Sequence, residues 1–273
     1  MKKDNTTFRA KLQLRADLLR SIADPVVMET HGGAGEVWRH LYRHLPRGVV
    51  FEKHRDKAAL LAHQRPSWAV YEADCTAALR AGAGSHLPIN VLDVDPYGDA
   101  WPTLEAFFAS ERPRPDVLML AVNDGLRHKL RTGSGWRVAS MQPAIAQFGS
   151  EALFSRYLEV CRWNLERIAP AYSVTDWHAY CCGALSNNAH YGAILRRVAR
   201  DADSGSAGAD PAAAGSRSTR GHRAGGRRKS SAARPIAYGK TWSLLRDSHR
   251  GSAAPSRSVP RAVARAARRP EHA

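Results

Sequence analysis

Five short apolar runs, each followed by a stretch with helical spacing, constrain this chain more than any other feature. They are Val26–Glu29, Val49–Glu52, Trp68–Tyr71, Ile89–Val94 and Asp116–Val122. Neighbouring parallel strands need crossover connections, so this alternation predicts a doubly wound, Rossmann-like α/β sheet. Two later runs, Val174–Cys182 and His190–Val198, flank Gly183–Ala189 and predict a closing antiparallel hairpin. The expected sheet therefore has seven strands, mostly parallel. Between strands five and six, Leu153, Phe154, Tyr157, Leu158, Cys161, Leu165 and Ile168 share one face, which predicts a single helix over Glu151–Ile168. Phe8, Leu12, Leu19 and Ile22 also recur at helical spacing, which places an N-terminal helix within residues 1–25, packed on the edge of the core.

Composition divides the chain near residue 200. The full 273 residues carry 41 Lys and Arg against 25 Asp and Glu, a net +16. Fifteen of the basic and five of the acidic residues fall after Arg200, so residues 201–273 hold +10 of that charge. This segment is dominated by Ala, Gly, Ser, Pro and Arg. It cannot bury enough surface to offset chain entropy, and disorder is expected. Its arginines (Arg217, Arg220, Arg223, Arg227 and Arg228 among them) suit phosphate binding, so a tail-assisted nucleic-acid partner, RNA or DNA, is expected. The expected core domain is residues 26–200.

The four cysteines have no CxxC spacing, and no run of residues has membrane-spanning length. Reduced thiols, a cytoplasmic location and no membrane partner follow as expectations. His40 and His44 lie four apart, but without an HExxH pattern they read as a solvated face, and no metal site is expected. Cys75 reads as a small packed residue, and Trp136, Trp163 and Trp177 as core or pocket wall.

The strand ends carry the chemistry. In open α/β sheets ligands bind beyond the carboxyl ends of the strands. The first run ends in Glu29 and is followed by Gly32, Gly33 and Gly35, a turn suited to close backbone approach. The second ends in Glu52, about 20 residues past the glycine turn, where a carboxylate can take ribose hydroxyls. The third closes on Asp74, an acceptor for an adenine exocyclic amine. The fourth ends in Asp95-Pro96-Tyr97-Gly98, a carboxylate, a rigid carbonyl, a flat stacking surface and a permissive glycine. Each feature alone is also an ordinary strand exit; their succession is what points to a site.

With these residues in place, positions 26–198 resemble a class I S-adenosylmethionine-dependent methyltransferase. Glu29, His31, Gly33 and Gly35 fall on the acidic-x-Gly-x-Gly-x-Gly motif of that family, with His31 in place of the first glycine. The resemblance implies S-adenosylmethionine as cofactor, with Glu52 on its ribose and Asp74 on its adenine. LDVDPYG is similar to the Asp-Pro-Phe/Tyr-Gly motif of tRNA guanine-N2 dimethyltransferases, and more loosely to the Asn/Asp-Pro-Pro-Tyr motif of enzymes methylating adenine N6 and cytosine N4. Asn123-Asp124-Gly125 is similar to the former group too. Asp95, Pro96 and Tyr97 are thereby implied as catalytic residues acting on a base amine of tRNA-like RNA or of DNA. A protein or small-molecule acceptor, and a non-catalytic nucleic-acid-binding protein on the same scaffold, are the alternatives.

Overall fold

The computed structural model describes residues 7–133, 137–182 and 187–198. Within them lie α1 (Phe8–Leu19), β1 (Val27–Glu29), β2 (Gly48–Glu52), α2 (Arg55–Gln64), β3 (Ala69–Glu72), α3 (Cys75–Arg80), β4 (Val91–Val94) and α4 (Trp101–Ala109). There follow β5 (Val117–Asp124), α5 (Leu126–Arg131), α6 (Gln142–Phe148), α7 (Ala152–Ser155), α8 (Tyr157–Ile168), β6 (Tyr172–Cys182) and β7 (Asn188–Arg197). The segment 201–273, Trp136 and most of the turn between β6 and β7 lie outside the described residues.

The seven strands form one sheet in the order β3-β2-β1-β4-β5-β7-β6. β1 to β5 run parallel, and β7 enters antiparallel between β5 and β6. This is the mixed, Rossmann-like α/β sheet expected from the sequence. The order reverses between β1 and β4, and such a switch point opens a crevice at the strands' carboxyl ends.

Alternating residues feed two apolar layers. Met28, Val49, Phe51, Leu92, Val94, Leu118 and Leu120 pack with α4 and α8. Val27, Val50, Val91, Met119 and Ala121 pack with α1 and the segment around Trp38. The helical pattern after the glycine turn yields only a short π-helix, Trp38–Tyr42.

Three sequence expectations change. The N-terminal helix is not an edge element: Leu14 and Leu18 are buried against the sheet, and Leu18 seats on Gly192, where an added Cβ would lie 2.3 Å from its Cδ1. β3 stops at Glu72, its last residue paired with β2, so Asp74 lies beyond the strand. The long helix is broken at Arg156 (φ −114°, ψ 29°), and it restarts at Tyr157, whose hydroxyl donates to Asp124 at 2.7 Å.

The helix face carries two buried ion pairs side by side. Glu29 of β1 and Asp93 of β4 are register partners, which would set two carboxylates against each other. Each has its own arginine. Arg15 of α1 donates to both oxygens of Asp93 (2.7 Å each), and Tyr42 adds a third bond at 2.9 Å. Glu29 pairs with Arg65, whose guanidinium lies between the rings of Trp38 and Trp68 at 4.7 and 5.2 Å.

On the other face Asp124 is fully buried and accepts from Leu126 N–H, Tyr157 and Tyr191. Burial outweighs these bonds and pushes its carboxyl up to about 7. A pKa raised on folding stabilises the fold fully below the unfolded value near 4, and that stability is lost as pH rises through 7. Melting temperatures measured from pH 4 to 8 are therefore expected to fall more steeply for the wild type than for Asp124→Asn. Parallel curves would contradict the assignment.

Candidate active site

The candidate site begins at the exit of β1. Thr30 N–H and Thr30 Oγ1 both bond the carbonyl of Asp93, and Gly32 N–H bonds that of Phe51, so the turn is anchored to β4 and β2 at once. At Gly32 a Cβ would sit 2.5 Å from Val50 Cγ2 and 2.6 Å from Leu61 Cδ1, which only glycine avoids. Gly33 has φ +54°, and nothing lies within 4 Å of where its Cβ would be. Its N–H donates to Glu52 Oε2 at 2.8 Å, while His54 N–H takes Oε1 at 2.9 Å. Glu52 thus joins the glycine turn to the end of β2.

Asp74 is exposed and caps α3, Oδ1 accepting from Ala77 N–H at 3.0 Å. This capping role explains its displacement from the strand. The next residue, Cys75, is buried. Its thiol lies 3.4 Å from Thr103 Oγ1 and 3.5 Å from His31 Nε2, and burial pushes its pKa up, which suits a packed residue.

His31, the departure from the glycine motif, bonds Thr30 Oγ1 through Nδ1 at 2.8 Å. Burial lowers its pKa, against the pull of Asp95, Asp74, Glu52 and Asp93, all near enough to act on the ring. These carboxylates belong to the ends of three strands, β2 (Glu52), β3 (Asp74) and β4 (Asp93 and Asp95), and all lie within electrostatic reach of His31. Glu29 does not join them through its side chain, which is spent on Arg65.

Beyond β4, Pro96 is buried and Tyr97 stands fully exposed. The loop is pinned to the exit of β5, where Gly98 O accepts from Gly125 N–H at 2.9 Å. A Cβ on Gly125 would lie 3.2 Å from Gly98 Cα. The two motifs noted in the sequence are therefore one structural unit.

Asp95 accepts from Asn123 Nδ2 at 2.6 Å and from Lys11 Nζ at 2.8 and 2.7 Å. Burial alone would raise its pKa, but Lys11 and Arg15 outweigh that and hold it ionised below the usual carboxylate range. Lys11, Arg15 and His190 are the site residues that sequence reasoning missed. The available signal was a basic pair four residues apart on the helix that also carries Leu14 and Leu18.

No protein-family model and no curated protein matches the chain. Among solved structures it is similar to Trm1 from Pyrococcus horikoshii with S-adenosyl-L-methionine (11% identity, 69% of this chain and 55% of that one, TM-score 0.47). It is also similar to M. jannaschii TYW2 in complex with AdoMet (12%, 70% and 77%, TM-score 0.45). A third is the N-methyltransferase NodS from Bradyrhizobium japonicum WM9 in complex with S-adenosyl-L-homocysteine (11%, 72% and 89%, TM-score 0.46). The chain spans about half the length of the Trm1 chain. At these values the fold rests on the strand order observed here, and activity has to be inferred from the site.

Proposed function

We propose that the chain is an S-adenosylmethionine-dependent methyltransferase acting on an amine nitrogen, most simply the exocyclic amine of a nucleobase in RNA or DNA. The observation that supports this reading is that Glu52, Asp74 and Asp95, at the carboxyl ends of β2, β3 and β4, all lie within electrostatic reach of His31 beyond β1. The residues fit the cofactor. Space stands open above Gly33, Glu52 offers a carboxylate for the ribose, and exposed Asp74 uses one oxygen in capping, leaving the other for the adenine amine. Glu29 contributes through backbone position. When bound, the cofactor supplies a methyl group already electrophilic on its sulfonium.

The protein's part is then alignment and exclusion of water. A base amine is a poor nucleophile because its lone pair is delocalised into the ring. Asp95 and the Pro96 carbonyl accept its N–H bonds and favour the pyramidal form, and Tyr97 offers its exposed ring to the base plane. Such stacking contributes on the order of 1–3 kcal/mol per base. A base within a duplex is extruded first. The arginines after residue 200 supply charge for the phosphates.

Tritiated methyl groups from S-adenosylmethionine, followed into the RNA, DNA and protein fractions of a cell extract, test this assignment. Label in RNA or DNA is the expected result. Label only in protein or small molecules would keep the enzyme class and reject the base. No label anywhere would favour the non-catalytic alternative.

A further inference from the structure

A row of polar side chains crosses the sheet beside the proposed acceptor position. Asn123 of β5 is the register partner of His190 of β7, and His190 that of Tyr180 of β6. Directly opposed residues of antiparallel strands share a face, and Asn123 Nδ2 carries the row on to Asp95. His190 is only 1% exposed, its ring stacks on Tyr180 at 5.2 Å, and among the described residues neither of its ring nitrogens has a hydrogen-bond partner. A buried polar group left unsatisfied is destabilising, so such a group asks for a partner. Lys11 and Arg15 lie near enough to oppose a proton on this imidazole, which burial already disfavours, and its pKa falls to about 3.

α1 covers the row with two cations that are held very differently. Arg15 and Asp93 have side chains 0% and 2% exposed, a pair sealed in the core. One turn earlier, Lys11 and Asp95 are 15% and 21% exposed, so water reaches this pair and another donor can compete for the carboxylate. The group that Asp95 holds is an ammonium, itself an N–H donor, bonded through two N–H···O contacts.

We propose that Lys11 is a resident plug: its ammonium keeps the acceptor's place on Asp95, and an acceptor enters by exchanging its own N–H donors for those of Lys11, with His190 as the next polar group inward. This rests on the reading of Asp95 as the acceptor carboxylate and deepens it. The subsite takes a primary amine or an amidine-like edge with N–H bonds to give, and turns away nitrogen without them. Arg15 keeps α1 on the sheet while the turn bearing Lys11 yields.

The test uses the full chain carrying Lys11→Ala, melted in methylammonium chloride and in tetramethylammonium chloride at equal ionic strength. Methylammonium is expected to raise the melting temperature of the variant by a few degrees more than tetramethylammonium does, and more than it raises that of the wild type. Adding Asp95→Asn should abolish this difference. Should Lys11→Ala fail to fold, Lys11→Gln serves in its place. Equal responses to the two cations, or a difference that survives Asp95→Asn, would overturn the plug. Calorimetry with S-adenosylmethionine on the same samples separates the two failures. Cofactor binding without amine selectivity removes the plug alone, whereas selectivity without cofactor binding keeps an amine subsite and removes the methyltransferase reading.

Discussion

Asp93→Ala is expected to destabilise the domain by about 3–5 kcal/mol, because it leaves a fully buried arginine without its counter-charge. Arg15 spends two donors on Asp93, and the Tyr42 hydroxyl spends its proton there as well. In the variant all three donors point into an apolar layer lined by Val27, Val91 and Met119. The guanidinium cannot neutralise itself by losing a proton, since arginine stays protonated. Replacing both partners with apolar residues, Arg15→Met with Asp93→Leu, should recover much of the loss, because no orphaned charge remains. Denaturant midpoints for Arg15→Met, Asp93→Leu and the double variant give the coupling between the sites. A single variant within about 1 kcal/mol of the wild type would show that Arg15 has another outlet.

Asp95→Asn carries the largest expected effect on transfer. In the proposed role the carboxylate accepts one N–H bond of the acceptor amine beside the Pro96 carbonyl, whereas a carboxamide can turn a donor toward it. Loss of such a contact at the reacting centre costs on the order of 100- to 1,000-fold in rate. Glu52, Asp74 and the glycine turn are untouched, so cofactor affinity should stay within a few-fold of the wild type. Methyl transfer rates with the labelled fraction, set beside cofactor affinity, decide the matter. Equal losses in both would place Asp95 among the cofactor contacts. The pair with Lys11 is partly solvated, so the fold should tolerate this change far better than Asp93→Ala.

The β-strands were legible because their apolar runs alternate with helical spacing, and the candidate site residues were read from what ends each run. Glu52, Asp74 and Asp95 each close such a run or lie just past it, and a rule about carboxyl ends names them as candidates. Less was legible where a residue's role depends on partners far along the chain. Lys11 meets Asp95 across 84 positions and Arg15 meets Asp93 across 78, and no local pattern encodes either pairing. Glu29 illustrates the same limit. Its motif position was plain, but the commitment of its carboxylate to Arg65 arises only when α2 delivers that arginine between Trp38 and Trp68. Asp74 lies two residues past the end of β3 because it caps the following helix, a role that aspartate favours. His190 lay hidden inside an apolar-looking strand, where a lone histidine carries no periodic signal.

The most direct test of the central claim is titration calorimetry of the full chain with S-adenosylmethionine, for the wild type, Glu52→Ala and Asp74→Ala. Saturable binding at one site is predicted, weakened about tenfold or more in each variant, since tenfold corresponds to only about 1.4 kcal/mol. A folded chain that releases no heat of binding, or binds with an affinity indifferent to both carboxylates, would contradict the account.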